Sequence, residues 1–175
     1  MAELRGRRIG EQNPLKKVQT YVPDFRGYSR KEDLRDADRM IRMILSQKLL
    51  LARKNMEDSM RKLENALLFE DVDSIAFLLN VLKRIESEIA YADSGLSWLA
   101  SDIGKREEEM ERLYEFDAQL LDIATLILKK TDEIKQASFA STRPPLNSAF
   151  VDLRTRLTLL EDIFRKRMLS INSIQ

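Results

Sequence analysis

Between Leu34 and Leu67 apolar side chains return every three or four residues, at Leu34, Ala37, Ile41, Ile44/Leu45, Leu49, Ala52, Met56, Met60, Leu63 and Leu67, with charged residues between them. A period near 3.6 puts one apolar stripe on a helix and contradicts a strand, whose faces alternate at every second residue. At 1.5 Å per residue the stripe predicts a first helix of about 38 residues, roughly 57 Å long. Ser29 followed by Glu32 has the form of a capping box and predicts that this helix starts at Arg30.

The rest of the chain repeats the pattern. Asp71 or Asp73 restarts a helix with the stripe Ile75, Leu78/Leu79, Leu82, Ile85 and Ile89, so Phe69 to Asp73 reads as a tight reversal. The stretch from Ala92 to Gly104, with Gly95 and Gly104, reads as a loop or kinked turn. A third helix from about Lys105 carries Met110, Leu113, Phe116, Leu120/Leu121, Ala124, Ile127/Leu128 and Ile134, until Ser138 to Pro145 breaks it. Asn147 or Ser148 then caps a last helix whose Phe150, Leu153, Leu157, Leu160, Ile163/Phe164 and Met168 keep a near-heptad, coiled-coil-like period. With 26 leucines against five valines, and only five glycines and four prolines, the composition favours helix throughout. The expected fold class is all-α, an antiparallel four-helix bundle with one long N-terminal helix. Residues 29–175 form the bundle domain and residues 1–28 an extended basic arm.

Histidine and cysteine are both absent. That removes the usual zinc, haem and iron–sulfur ligands, thiol catalysis, the Ser-His-Asp triad and disulfides. No Gly-rich phosphate loop occurs either, so no cofactor and no nucleotide hydrolysis are expected. The N-terminal residues are charged rather than apolar, and no stretch approaches the roughly 20 apolar residues of a membrane span, which reads as a cytoplasmic protein. Charge is uneven along the chain. Residues 1–31 hold eight basic against three acidic side chains (+5), residues 32–143 hold 17 against 23 (−6), and residues 144–175 hold five against three (+2).

Several residues stand out as candidate sites. In the arm, Leu15, Val18, Tyr21, Val22, Phe25 and Tyr28 supply apolar and aromatic anchors beside Arg26, suited to lie along a helix surface of the same bundle or of a partner. Trp98, the single tryptophan, sits at the bend after the second helix, where it either plugs the bundle end or meets a partner. Asp117 falls inside the apolar stripe of the third helix and needs a basic partner, for which Arg39 or Arg42 is expected; Asp38, beside Ala37 and Ile41, invites the same reading. The run Glu107-Glu108-Glu109 with Glu111, Glu115 and Asp117 has carboxylates a turn apart, as a magnesium site would, but acidic residues also suit a helix N-terminus and the reading is structural.

Phe25-Arg26-Gly27-Tyr28, Asp33-Leu34-Arg35-Asp36-Ala37-Asp38-Arg39, Arg84-Ile85 and Leu113-Tyr114-Glu115-Phe116-Asp117-Ala118-Gln119-Leu120-Leu121 together resemble a family of uncharacterised bacterial all-helical proteins, over about residues 21–128. The chain departs from that pattern around Gly95, where Asp93-Ser94 and Leu96-Ser97 stand in place of aromatic residues. A looser likeness to the helical hairpins of phage-shock protein A rests on helix length alone. The resemblance implies a helical fold and no particular activity. The functional expectation is a non-enzymatic interaction or assembly module that contacts protein partners or itself, as an oligomer or scaffold, through the arm and the long first helix. The alternatives are a nucleic-acid-binding or membrane-surface accessory protein using the basic arm, or an enzyme with a carboxylate metal site.

Overall fold

The computed structural model describes residues 13–27, 34–92, 103–142 and 144–172. They form α1 (Pro14–Tyr21), α2 (Leu34–Asn65), α3 (Phe69–Tyr91), α4 (Ile103–Phe139) and α5 (Asn147–Asn172), with no strand among the described residues. The 3.6-residue stripes are the buried faces: Ile41, Leu45, Leu49, Ala52, Met56 and Leu63 on α2 meet Ile75, Leu82, Ile85 and Ile89 on α3, Leu113, Leu120, Leu121, Ala124 and Ile127 on α4, and Leu153, Leu157 and Leu160 on α5 in one core. None of these faces is stable in water alone, so each helix depends on its neighbours.

Cross-helix contacts set the directions. Arg53 on α2 meets Glu86 on α3, and Arg42 meets the end of α3 near Ala92, so α2 and α3 run antiparallel; Lys130–Asp152 and Asp117–Arg167 say the same of α4 and α5. Asn55 meets Thr131 and Asp58 meets Lys135, so α2 and α4 lie side by side and parallel. Arg84–Glu161 and Arg154 over the Phe77 ring place α3 parallel to α5. These contacts place α2 beside α4 and α3 beside α5, with α2 and α3, and α4 and α5, in opposite directions.

The boundaries of several elements differ from the sequence reading. α2 is described over Leu34–Asn65 and α4 over Ile103–Phe139, each beginning next to residues outside the described ones. The cap expected for α2 at Ser29 lies outside the described residues, as do Tyr28, Trp98 and Gly95. The reversal falls at Ala66–Leu68, earlier than Phe69–Asp73. The Leu68 N–H donates to the Leu63 carbonyl and the Leu67 N–H to that of Glu64, both at 3.0 Å, with Leu67 at φ 58°. This is a Schellman closure with leucine at the left-handed position glycine usually takes, which is why no glycine signal marked it.

The arm differs most. Residues 14–21 are helical rather than extended: Pro14 occupies the first turn, and the Asn13 side chain accepts from the Leu15 N–H at 3.0 Å. Proline there starts a helix, because its missing N–H is one the first turn leaves unpaired anyway. Val18, Val22 and Phe25 are buried in the common core, so residues 13–27 belong to the same packed unit as the bundle and do not form a separate region.

Candidate functional site

Two places in the fold gather polar chemistry. The first is inside. Asp38 on α2, Asp117 on α4 and Arg167 on α5 have side chains no more than 1% exposed. The Arg167 guanidinium donates through Nε to Asp117 Oδ1 at 2.8 Å and through Nη2 to Asp38 Oδ1 at 2.7 Å. Asp38 accepts a second cation at Oδ2, from Arg42 Nε at 2.8 Å, and Arg42 Nη1 continues to the Ala92 carbonyl at 2.8 Å, where α3 ends. Among the described residues, two carboxylates and two guanidiniums tie together α2, α3, α4 and α5. A planar fork with several fixed donors meets two acids in set directions, which favours arginine over lysine at position 167.

The sequence reading placed Asp38 and Asp117 correctly in the interior but paired them differently. Arg39 is exposed, and Arg42 serves Asp38 rather than Asp117. The missed residue is Arg167. Its signal was present: Leu153, Leu157, Leu160, Phe164 and Arg167 alternate steps of four and three, so Arg167 holds a core position of that heptad, and Met168 beside it is only half-buried. The same steps along α4 place Thr131 and Ser138 inside; each hydroxyl donates at 2.8 Å to a carbonyl of its own helix, Leu128 and Ile134 respectively.

The second place is the seat of the arm. The chain from α1 to Gly27 runs antiparallel to α4: Lys17 and Tyr21 reach Asp122, and Phe25 reaches Tyr114 earlier on the same helix. Tyr21 Oη donates to Asp122 Oδ1 at 2.6 Å, and Lys17 Nζ lies 2.5 Å from Oδ2 of the same carboxylate. Burial, followed by the adjoining Asp122 carboxylate, pushes the Tyr21 phenol above its ordinary range, against a lowering contribution from Thr125. From α2 the Lys48 ammonium stands 5.5 Å over the Tyr21 ring. The Phe25 ring meets Tyr114 edge to face at 6.2 Å, and the Phe25 carbonyl accepts from Gln19 Nε2 at 3.0 Å. At Gly27 the backbone has φ 83°, and a Cβ there would meet the Tyr114 hydroxyl, which would have to shift. The left-handed conformation favours glycine at this position.

Of the arm candidates, Val18, Val22 and Phe25 are buried, Leu15 and Tyr21 are half-buried against the core, and Arg26 is exposed. Glu107 and Glu108 are exposed on α4, and no group of three acidic side chains able to hold a metal ion occurs among the described residues. None of their helices is long and apolar enough to cross a membrane.

The fold and these sites define an all-helical protein whose N-terminal helix is laid over a bundle. No family model, curated protein or solved structure matches the chain.

Proposed function

We propose that the chain is a non-enzymatic helical interaction or assembly module, contacting protein partners or further copies of itself through its N-terminal arm and α2. In this reading the antiparallel hairpins of the four-helix frame are the scaffold, and the basic arm is the working part. The observation that supports it is the seat of the arm itself. The eight-residue helix α1, too short to persist alone, and the residues that follow it are held against α4 by three buried apolar side chains, Val18 on the helix and Val22 and Phe25 after it, and by the Asp122 carboxylate. Laying the apolar face of a short helix on a helical surface is a general mode of protein recognition.

The nucleic-acid reading draws no support from this geometry, because Lys17 is paired with Asp122 and Tyr21 and Phe25 are packed against the protein instead of being free to stack on bases. The test is affinity capture from native cells by the full chain and by Val18→Asp/Phe25→Asp, which unseats the arm and leaves the α4 surface beneath it unchanged in sequence. A protein partner, or the chain itself, whose capture changes with the arm is the expected result. Retention of RNA or DNA by the wild-type chain that falls ~10²-fold from low to moderate salt would instead favour phosphate binding.

A further inference from the structure

We infer that the end of the bundle built by the α2–α3 reversal is a docking face for a basic, amphipathic helical segment of a partner protein. The inference rests on the module reading above and adds a surface, and a partner chemistry, that the arm does not supply.

Several choices in this turn work against local stability. Leu67 takes the left-handed backbone, at φ 58°, and leaves its side chain 71% exposed, so the strain is borne without burial in return. Glu64 lies in the last turn of α2, where the helix dipole disfavours an acid. Phe69, two residues beyond Leu67, is 63% exposed at the start of α3. Lys62 stands 5.4 Å over the Phe139 ring, so the last residue of α4 brings a further phenylalanine, 53% exposed, to the same end of the bundle. Backbone strain and exposed apolar side chains gathered at one turn mark a binding surface, since neither serves the fold.

Charge selects the occupant. From Leu63 to Leu82 the sequence holds the acids Glu64, Glu70, Asp71 and Asp73 and no lysine or arginine. Glu70 and Asp71 also suit the first turn of α3, but Glu64 and Asp73 lie outside it. Among the described residues none of these acids is ion-paired, while the nearby cations are engaged, Arg61 and Lys135 with Asp58 and Lys62 with the Phe139 ring. The face thus offers apolar side chains flanked by unneutralised acids, and its complement is a helix whose apolar stripe is edged by lysine or arginine. A second copy docking by the same face would set these acids against their equals across a twofold axis, and an anionic membrane would be repelled by them. The chain's own basic arm is engaged elsewhere, through the buried Val18, Val22 and Phe25.

Titration of the full-length chain into a labelled synthetic helix of leucine and lysine in amphipathic pattern, followed by fluorescence anisotropy, tests this. The expected result is binding of that peptide and none of its leucine–glutamate counterpart. Leu67→Gly with Phe69→Ser should weaken binding by about tenfold or more, which is what burial of one such side chain supplies. If that pair lowers helicity, Leu67→Gly alone, which suits the left-handed backbone, should still weaken it severalfold. Glu64→Gln with Glu70→Gln and Asp73→Asn should weaken binding and flatten its salt dependence, whereas Glu107→Gln with Glu108→Gln, early in α4, should change it little. Absence of binding, an affinity indifferent to the Leu67 and Phe69 substitutions, or an equal loss in the Glu107 and Glu108 control would overturn the docking face. Val18→Asp with Phe25→Asp should bind the peptide like the wild type; loss of binding there would move the peptide to the arm's seat and overturn the end face. Because the titration does not use the arm, its failure leaves the module reading to its own capture test.

Discussion

The interior cluster and the arm joint use the same chemistry, carboxylate against cation, at opposite degrees of burial. Around Arg167 the charged side chains are sealed, so each is needed to offset the cost of taking the others out of water. At Asp122 the carboxylate, the ammonium and the phenol keep access to solvent, and the apolar residues Val18, Val22 and Phe25 supply most of the attachment. The difference teaches what each pairing does. A buried ion cluster fixes which helices pack and in what register, since no shifted arrangement satisfies all its members. A surface pairing orients a segment that hydrophobic contact holds.

The sharpest way to break the comparison is Arg167→Met. Arg167→Met takes one cation from the buried Asp38, which keeps Arg42, and one from the buried Asp117, and a loss of about 3–5 kcal/mol is expected, or a fall of roughly 10 °C in melting temperature for a chain of this size. Adding Asp117→Asn to that variant should recover part of the loss, because it neutralises a buried carboxylate that has lost a cation. A melting temperature unchanged by Arg167→Met would refute the buried cluster.

Gly27→Ala comes next. The left-handed backbone costs a residue with a Cβ about 1–2 kcal/mol, and the Tyr114 hydroxyl must move as well. Hydrogen exchange should accelerate over Val18 to Phe25 with little change in α3 and α5, since only the arm's seat depends on this turn. Acceleration spread evenly over the bundle would show that the arm is not separable.

Two titrations distinguish the regions further. The Tyr21 phenol is raised, mainly by burial and then by Asp122, so its contribution is complete below pH 10, the unfolded value, and is lost as pH rises through the higher folded one. Strongly alkaline solution should therefore loosen the arm in the wild type by a step that Tyr21→Phe lacks, read by fluorescence of a probe placed on the arm. On the bundle, Glu161 is held below the ordinary glutamate range by its hydrogen bonds and charge interactions with Arg84 and then Arg165. Its contribution is present above pH 4.5 and is lost as pH falls through the depressed value. Glu161→Gln should cost less than about 1 kcal/mol at neutral pH and nothing in strong acid, by parallel denaturant titrations.

The smallest expected effect has the opposite sign. Leu67 is 71% exposed and sits at φ 58° in the closure of α2, so Leu67→Gly gives up little burial and relieves the left-handed conformation. A gain of about 0.5–1 kcal/mol in a denaturant titration is expected. A loss would mean that the leucine side chain packs in a way its exposure conceals.

Most of the helical frame was legible because burial of one face forces a period of 3.6, and that period is written locally. Asp38 and Asp117 were legible as interior residues for the same reason, each interrupting an apolar stripe. Arg167 was equally placed in its heptad, yet a cation at the end of a helix reads as an ordinary favourable charge, and Met168 beside it offered a plausible apolar substitute. Asn13-Pro14 starts a helix inside what the sequence reads as an extended arm, because proline both starts and breaks helices and only the docking of Val18 and Phe25 shows which applies here.

The sequence by itself determined that this chain is all-helical, which faces of its helices turn inward, and that histidine and cysteine chemistry is absent. The tertiary structure alone decided that α2 and α4 lie parallel, that Arg167 serves two acids on different helices, and that the arm packs against α4. The physical reason is range. Periodicity and capping are set by residues within a turn or two of each other, whereas partner choice among buried charges, and the landing place of a short helix, depend on side chains that meet only when distant segments pack.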